Sequence, residues 1–292
     1  MSYPPMRTLL ALTCLTACST VPTEAYVLET RSRVVSLGEE HLIEETVELD
    51  PARTAFIVCD MWDDHWCAGA AQRVAEMAPQ LDAALAEARS RGSLIIHAPS
   101  SVVDFYEGTS ARTKAREAAY APTPVPLSTD ERWGTNWCWP ITDESDLPID
   151  DSDMGCDCTP ECELREAWTR QHPAITIEDG DALTHDGQEA WNLLEAHDID
   201  NVVLSGVHLN MCVLGRPFGI RQMVGLGKNV LLMRDMTDSM YDSRMRPLVD
   251  HFSGHDLVVE HVERNWCASF TSTGVTGEPA FKFSEDSRAE LR

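Results

Sequence analysis

The chain has 292 residues, with 48 Asp and Glu against 23 Lys and Arg and a formal net charge of -25. That acidity excludes nucleic acid and anionic lipid as broad-surface partners, and an apolar content of 43% excludes global disorder. The length suits one large α/β domain or two small ones.

The N-terminus reads as an export signal. "MRTLLALTCLTACST" opens at Met6, with Arg7 as a short positive region and Leu9 to Leu15 as an apolar stretch. It closes on "LTAC" at 15–18, the pattern of a bacterial lipoprotein in which Cys18 is lipidated and becomes the mature N-terminus. The expected organisation is a signal over 1–18, a polar tether with one or two edge strands over 19–50, and an α/β domain over 51–292 with an insertion at about 100–171. The expected location is the bacterial cell envelope, with the membrane met only through the lipid anchor. The apolar run is too short for a permanent span. Eight further cysteines, at 59, 67, 138, 156, 158, 162, 212 and 267, would then sit where disulfides persist.

From residue 54 the pattern alternates strand and helix. "TAFIVCD" (54–60) is an apolar run ending in a charge, as in a strand buried on both faces. Val74, Met77, Ala78, Leu81, Leu85 and Ala88 recur at helical spacing. Pro79 predicts a kink or fresh start within that helix, and Gly92 a C-terminal cap. "SLIIHAP" (93–99) and "AITIE" (174–178) read as the second and third strands, and "NVVLSGV" (201–207) as the fourth. A helix from about Cys212 to Leu226 precedes "NVLLMRD" (229–235); a helix near 244–253 and a last strand "DLVVEHV" (256–262) complete the series. The fold class expected is a three-layer α/β/α sandwich with a mostly parallel central sheet.

In such a sheet, sites form at the carboxyl ends of the strands. Asp60, His97, Glu178, His208 and Asp235 fall there, with His65 and Cys67 just beyond the first strand and Cys212 opening a helix. A cysteine at a helix N-terminus is expected to have a lowered pKa, and Asp60 could take its proton in acyl transfer. His65, His97 and His208 with Asp60 or Glu178 could instead hold a divalent metal, zinc or iron. "CDCTPEC" (156–162) has no second Cys pair or His pair nearby, so disulfides to Cys138, Cys67 or Cys267 are expected there rather than zinc. The tryptophans at 62, 66, 133, 137, 139 and 266 either wall a pocket under the insertion or pack it down.

"TAFIVCDMWDDHW", followed by "VVLSGVHLNMCVLGRPFGIRQMVGLGKNVLLMRDMTDS", resembles the isochorismatase-like cysteine hydrolases over residues 52–100 and 172 to about 262. The resemblance implies hydrolysis of a C–N bond in a small amide, with Cys212 as nucleophile, Asp60 as base and no required cofactor. It implies a cis peptide at Val207–His208, with the backbone N–H groups of His208 and Cys212 as oxyanion donors. Trp62, His65, His97 and Arg216 would line the substrate pocket, and members often associate as homo-oligomers. Where the family has a catalytic lysine ending the third strand, this reading places Glu178, and no lysine lies between Lys114 and Lys228. Arg216 or a metal would have to supply that positive charge, or the chain is a catalytically silent binding protein.

Overall fold

A computed structural model describes residues 24–132, 135–138 and 144–288. Cys18, the expected lipidation site, and the tryptophans at 133 and 139 lie outside the described residues. The chain begins with a hairpin of β1 (Tyr26–Ser36) and β2 (Glu39–Leu49), then β3 (Thr54–Cys59), α1 (Ala68–Ser90) and β4 (Leu94–Ala98). The expected insertion holds α2 (Ser110–Glu117) and a small hairpin of β5 (Asp130–Arg132) and β6 (Thr135–Trp137). After it come β7 (Ala182–Leu183), α3 (Gly187–Ala196), β8 (Asn201–Val207), α4 (Ile220–Gly225), β9 (Asn229–Asp238), α5 (His251–Asn265), β10 (Ala268–Phe270) and α6 (Thr273–Thr276).

The main sheet has eight strands in the order β2-β1-β10-β9-β8-β3-β4-β7. It is parallel from β10 through β7, and β1 and β2 add an antiparallel edge. Successive residues of a strand point to opposite faces, and this chain uses both for burial. Ala55, Ile57 and Cys59 enter one core with α3, α4 and α5. Phe56 and Val58 enter the other with α1 and the C-terminal segment. This is the expected three-layer sandwich. Among the described residues, no helix is long and apolar enough to cross a membrane.

Several local expectations change. Residues 174–178 form no strand; the third parallel strand is β7, eight residues further on, pairing Ile96 with Ala182 and His97 with Leu183. Ile175 and Ile177 mimic a strand because both are taken up by hydrophobic clusters beside a turn. "DLVVEHV" is helix, within α5: Val258, Val259 and Val262 share one face against the sheet, and helical spacing overrides β-branched propensity. The segment 244–248 is a turn, so the helix expected near 244–253 begins only at His251. β9 runs on to Asp238, so Asp235 lies inside the strand, where its carboxylate accepts bonds from Ser272 and the Phe281 N–H. α1 passes through Pro79 unbroken, and Gly92, at φ +90°, follows its cap.

One buried polar knot ties the far end of the insertion to the body. Glu144 accepts bonds from Arg221 at 2.7 and 2.9 Å, His261 at 2.8 Å and the Trp266 indole at 2.9 Å. Burial alone would raise its pKa; those donors hold it down at about 2. Glu144→Ala strands a buried guanidinium, and is expected to cost about 3–5 kcal/mol in urea unfolding at pH 7. A carboxyl with a depressed folded pKa stabilises above its unfolded value and ceases to as pH falls through the folded one. The difference between wild type and variant is therefore expected to shrink from about pH 4 downwards towards pH 2. A difference that holds constant across that window contradicts the assignment.

Candidate active site

Asp60 follows β3 in a strained backbone conformation, at φ +47°. It is wholly buried, and its Oδ1 accepts the Ser100 N–H at 2.6 Å from beyond the end of β4. Next in the sheet, β8 approaches β3 closely enough that Gly206 pairs with Cys59. Gly206 has φ +99°, and a Cβ there would collide with the Cys59 carbonyl oxygen; only glycine fits. The Val207–His208 peptide is cis, as the resemblance implies. The chain then turns through Leu209–Val213, a five-residue π-type turn rather than the start of a long helix.

That turn seats Cys212 beside the Asp60 carboxylate and the Arg216 guanidinium. Arg216 Nε is 3.7 Å from Asp60 Oδ2, and its guanidinium lies 4.4 Å from the centre of the Trp137 ring. Both partners of this ion pair are buried. The expectation of a low thiol pKa is corrected: burial pushes Cys212 well up, Asp60 adds to that, and Arg216 opposes it. Cys212 sits within a short turn, and loss of water outweighs any helix-terminal field.

Cys212 opens onto a cavity of about 410 Å³, with Trp62, His65, His208 and Arg216 in its wall. His65 Nδ1 accepts the Cys67 N–H at 3.1 Å, which leaves the ring proton on Nε2. Burial lowers its pKa to about 4, so it is neutral at pH 7. The His208 ring stands 5.1 Å from it, and burial and then His65 hold His208 neutral as well. His208 Nε2 is buried and has no hydrogen-bond partner among the described residues. The insertion supplies the opposite wall through Met154, Leu164, Arg165, Glu166 and Trp168. Trp168 stacks on Trp62 at 4.4 Å. It is held there because Asp63 and Met61 exchange backbone bonds with Arg170 and His172.

Two expected site residues lie elsewhere. His97 is fully buried and hydrogen-bonds Gln171 at 3.1 Å and Asp181 at 3.0 Å, away from the cavity wall. Glu178 is exposed at the turn before β7, its N–H donating to Asp181 Oδ2. The His–carboxylate metal set is therefore not assembled. The residue that follows the true third strand towards the site is His185. Its Nδ1 accepts the Ser101 N–H at 3.1 Å, and it lines a side cavity of about 210 Å³ with Ser100 and Arg216. Burial lowers its pKa, with Asp60 opposing and Arg216 adding. Sequence reasoning missed His185 because a two-residue strand leaves no apolar run; the available signal was "THDG", where Asp186 caps α3.

No family model matches the chain, and neither does any curated protein. Solved structures do. A cysteine hydrolase from Pseudomonas syringae pv. phaseolicola is 15% identical with a TM-score of 0.47, over 78% of this chain and 93% of that one. An isochorismatase family protein from Burkholderia thailandensis is 12% identical with a TM-score of 0.43, over 77% and 95%. Another from Desulfovibrio vulgaris is 14% identical with a TM-score of 0.41, over 77% and 97%. It is to isochorismatase-family and cysteine-hydrolase structures that this chain is similar.

Proposed function

We propose that the protein is a cysteine hydrolase that cleaves the C–N bond of a small amide. The observation that carries this reading is one constellation: a buried thiol and a buried guanidinium in the wall of one cavity, with a buried carboxylate beside both. Asp60 takes the thiol proton as Cys212 sulfur attacks the carbonyl carbon. The C–N bond then breaks, the nitrogen leaves with the proton from Asp60, and a thioester remains on Cys212. Water attacks the thioester, gives a proton back through Asp60 to sulfur, and releases the acid. The backbone N–H groups of His208 and Cys212 would hold the oxyanion. Arg216 supplies the positive charge that the family draws from a lysine.

The aromatic wall and a cavity of about 410 Å³ suit a small, flat amide. His208 Nε2 and the His65 Nε2–H offer it an acceptor or donor pair. The raised thiol pKa also suits the proposed export as a lipoprotein, since a neutral buried thiol exchanges slowly with disulfides. The test is a panel of small aryl and heteroaryl amides, followed by release of acid and amine. Arg216→Gln is expected to lower kcat/KM by about 10²-fold, and Arg216→Lys to recover part of it. No amide turned over by the wild type, or an unchanged rate in Arg216→Gln, contradicts the proposal.

A further inference from the structure

Four cysteines outside the catalytic site converge where α1 begins. The sulfurs of Cys67, Cys156 and Cys158 all lie within 4.8 Å of one another. Cys162 joins them through Cys158 and Cys156. Cys67 caps α1, while the other three come from the insertion in the spacing Cys-x-Cys-x3-Cys. None of the four is in a disulfide, so the expected pairing of this motif with Cys138, Cys67 or Cys267 is not what forms. Cys138 instead meets Gln222 Oε1 at 3.1 Å, and Cys267 closes the end of α5.

Three features distinguish this cluster from thiols packed as small apolar groups. First, Cys67 Sγ and Cys158 Sγ are 3.8 Å apart. A disulfide needs about 2.05 Å, whereas zinc–sulfur bonds of about 2.3 Å in a tetrahedron place neighbouring sulfurs about 3.8 Å apart. An iron–sulfur cubane spreads its thiolates further than that. Second, backbone donors face the sulfurs: Gly69 N–H reaches Cys158 Sγ at 3.3 Å and Ala68 N–H reaches Cys162 Sγ at 3.5 Å. A Cβ on Gly69 would stand 2.8 Å from Asp157 Oδ1, so glycine is what lets this amide reach the sulfur. Third, a cation is at hand. Arg73 is 3% exposed, pairs with Asp157 and Asp238, and approaches within 3.3 Å of the same Cβ position. Four thiolates on a divalent ion leave a net negative charge, which the N–H groups stabilise directly; Arg73 offsets the Asp157 carboxylate, whose Oδ1 lies 3.8 Å from Cys67 Sγ.

We infer that Cys67, Cys156, Cys158 and Cys162 bind one zinc ion in a closed tetrathiolate site that staples the insertion to the loop after β3. The site is structural, since four protein ligands leave no open position. Its ligands interleave with the cavity wall: Trp66 precedes Cys67, and Met154, Leu164 and Trp168 flank the other three. Zinc therefore fixes the part of the insertion that closes the cavity over Cys212.

The full chain, purified without chelator, is expected to carry about one zinc per molecule by elemental analysis. X-ray absorption should give sulfur-only ligation at about 2.3 Å. Cobalt replacing zinc should show thiolate charge transfer and the intense visible bands of a tetrahedral ion, a readout that needs neither activity nor a variant. Cys156→Ser with Cys158→Ser should lose the zinc and lower Tm by on the order of 10 °C, while Cys138→Ser should keep it. Should the double variant fail to fold, the cobalt spectrum of the wild type decides. A metal-free chain with these four cysteines joined in disulfides overturns the inference. So does iron in place of zinc, or a cobalt spectrum without thiolate bands.

Discussion

Cys212→Ala is expected to lower kcat/KM for the best amide by about 10³-fold or more, with little change in Tm. Removing a nucleophile removes the covalent route, and what remains is binding and whatever the oxyanion donors do for water attack. Cys212 is 6% exposed and packs in the sandwich core, so the lost sulfur leaves only a small cavity at its edge. Cys212→Ser keeps the volume but offers a hydroxyl that Asp60 can deprotonate only at far greater cost. Its rate should stay close to that of the alanine variant. A serine variant that works nearly as well as the wild type would mean that the thiol is not the attacking group.

Asp60→Asn should separate reactivity from catalysis. In the wild type, burial and the neighbouring carboxylate both hold Cys212 as the neutral thiol. Asparagine removes one of those two causes and leaves Arg216, which favours thiolate. Alkylation of Cys212 by iodoacetamide at pH 7 should therefore become about tenfold faster, the change that one unit of pKa confers. Amide hydrolysis should fall by about 10²–10⁴-fold, because nothing carries a proton to the leaving nitrogen. Few structural defects move these two rates in opposite directions. If both fall together, Asp60 is a packing residue and the proton-carrying role is wrong. The wild-type alkylation rate should itself rise steeply with pH, since thiolate is scarce at neutrality.

Much of this site was legible in the sequence, and the rest was hidden for identifiable reasons. β3, β4 and β8 are buried on both faces, so their runs are continuous and their carboxyl ends could be counted to within a residue. That put Asp60, His208 and Cys212 at one edge, and the structure seats Cys212 beside Asp60. Arg216 was legible as a cation four residues beyond the thiol, and the structure puts it on the Asp60 carboxylate. The third strand was not legible. β7 is two residues long, and "AITIE" nearby alternates as a strand should while running as a turn. That error assigned Glu178 to a place near which His185 now stands. His97 was misplaced for a different reason: it sits on the right strand, but its neighbours Gln171 and Asp181 claim both ring nitrogens. The four-cysteine cluster joins residues 91 positions apart, and no local pattern reports such a contact. The stretch "VCDMWDDHWC" therefore faces two ways, with Asp60 beside the thiol of Cys212 and Cys67 beside the sulfurs of Cys156 and Cys158.

In the proposed reaction Cys212 carries the acyl group. The direct measurement is intact and peptide mass after acid quench of the wild type during turnover of an amide or the corresponding activated ester. The predicted result is a mass increase equal to the acyl group on the peptide containing Cys212, labile to hydroxylamine and missing from Cys212→Ala. Turnover at equal rates in both proteins, with no adduct on Cys212, would contradict it.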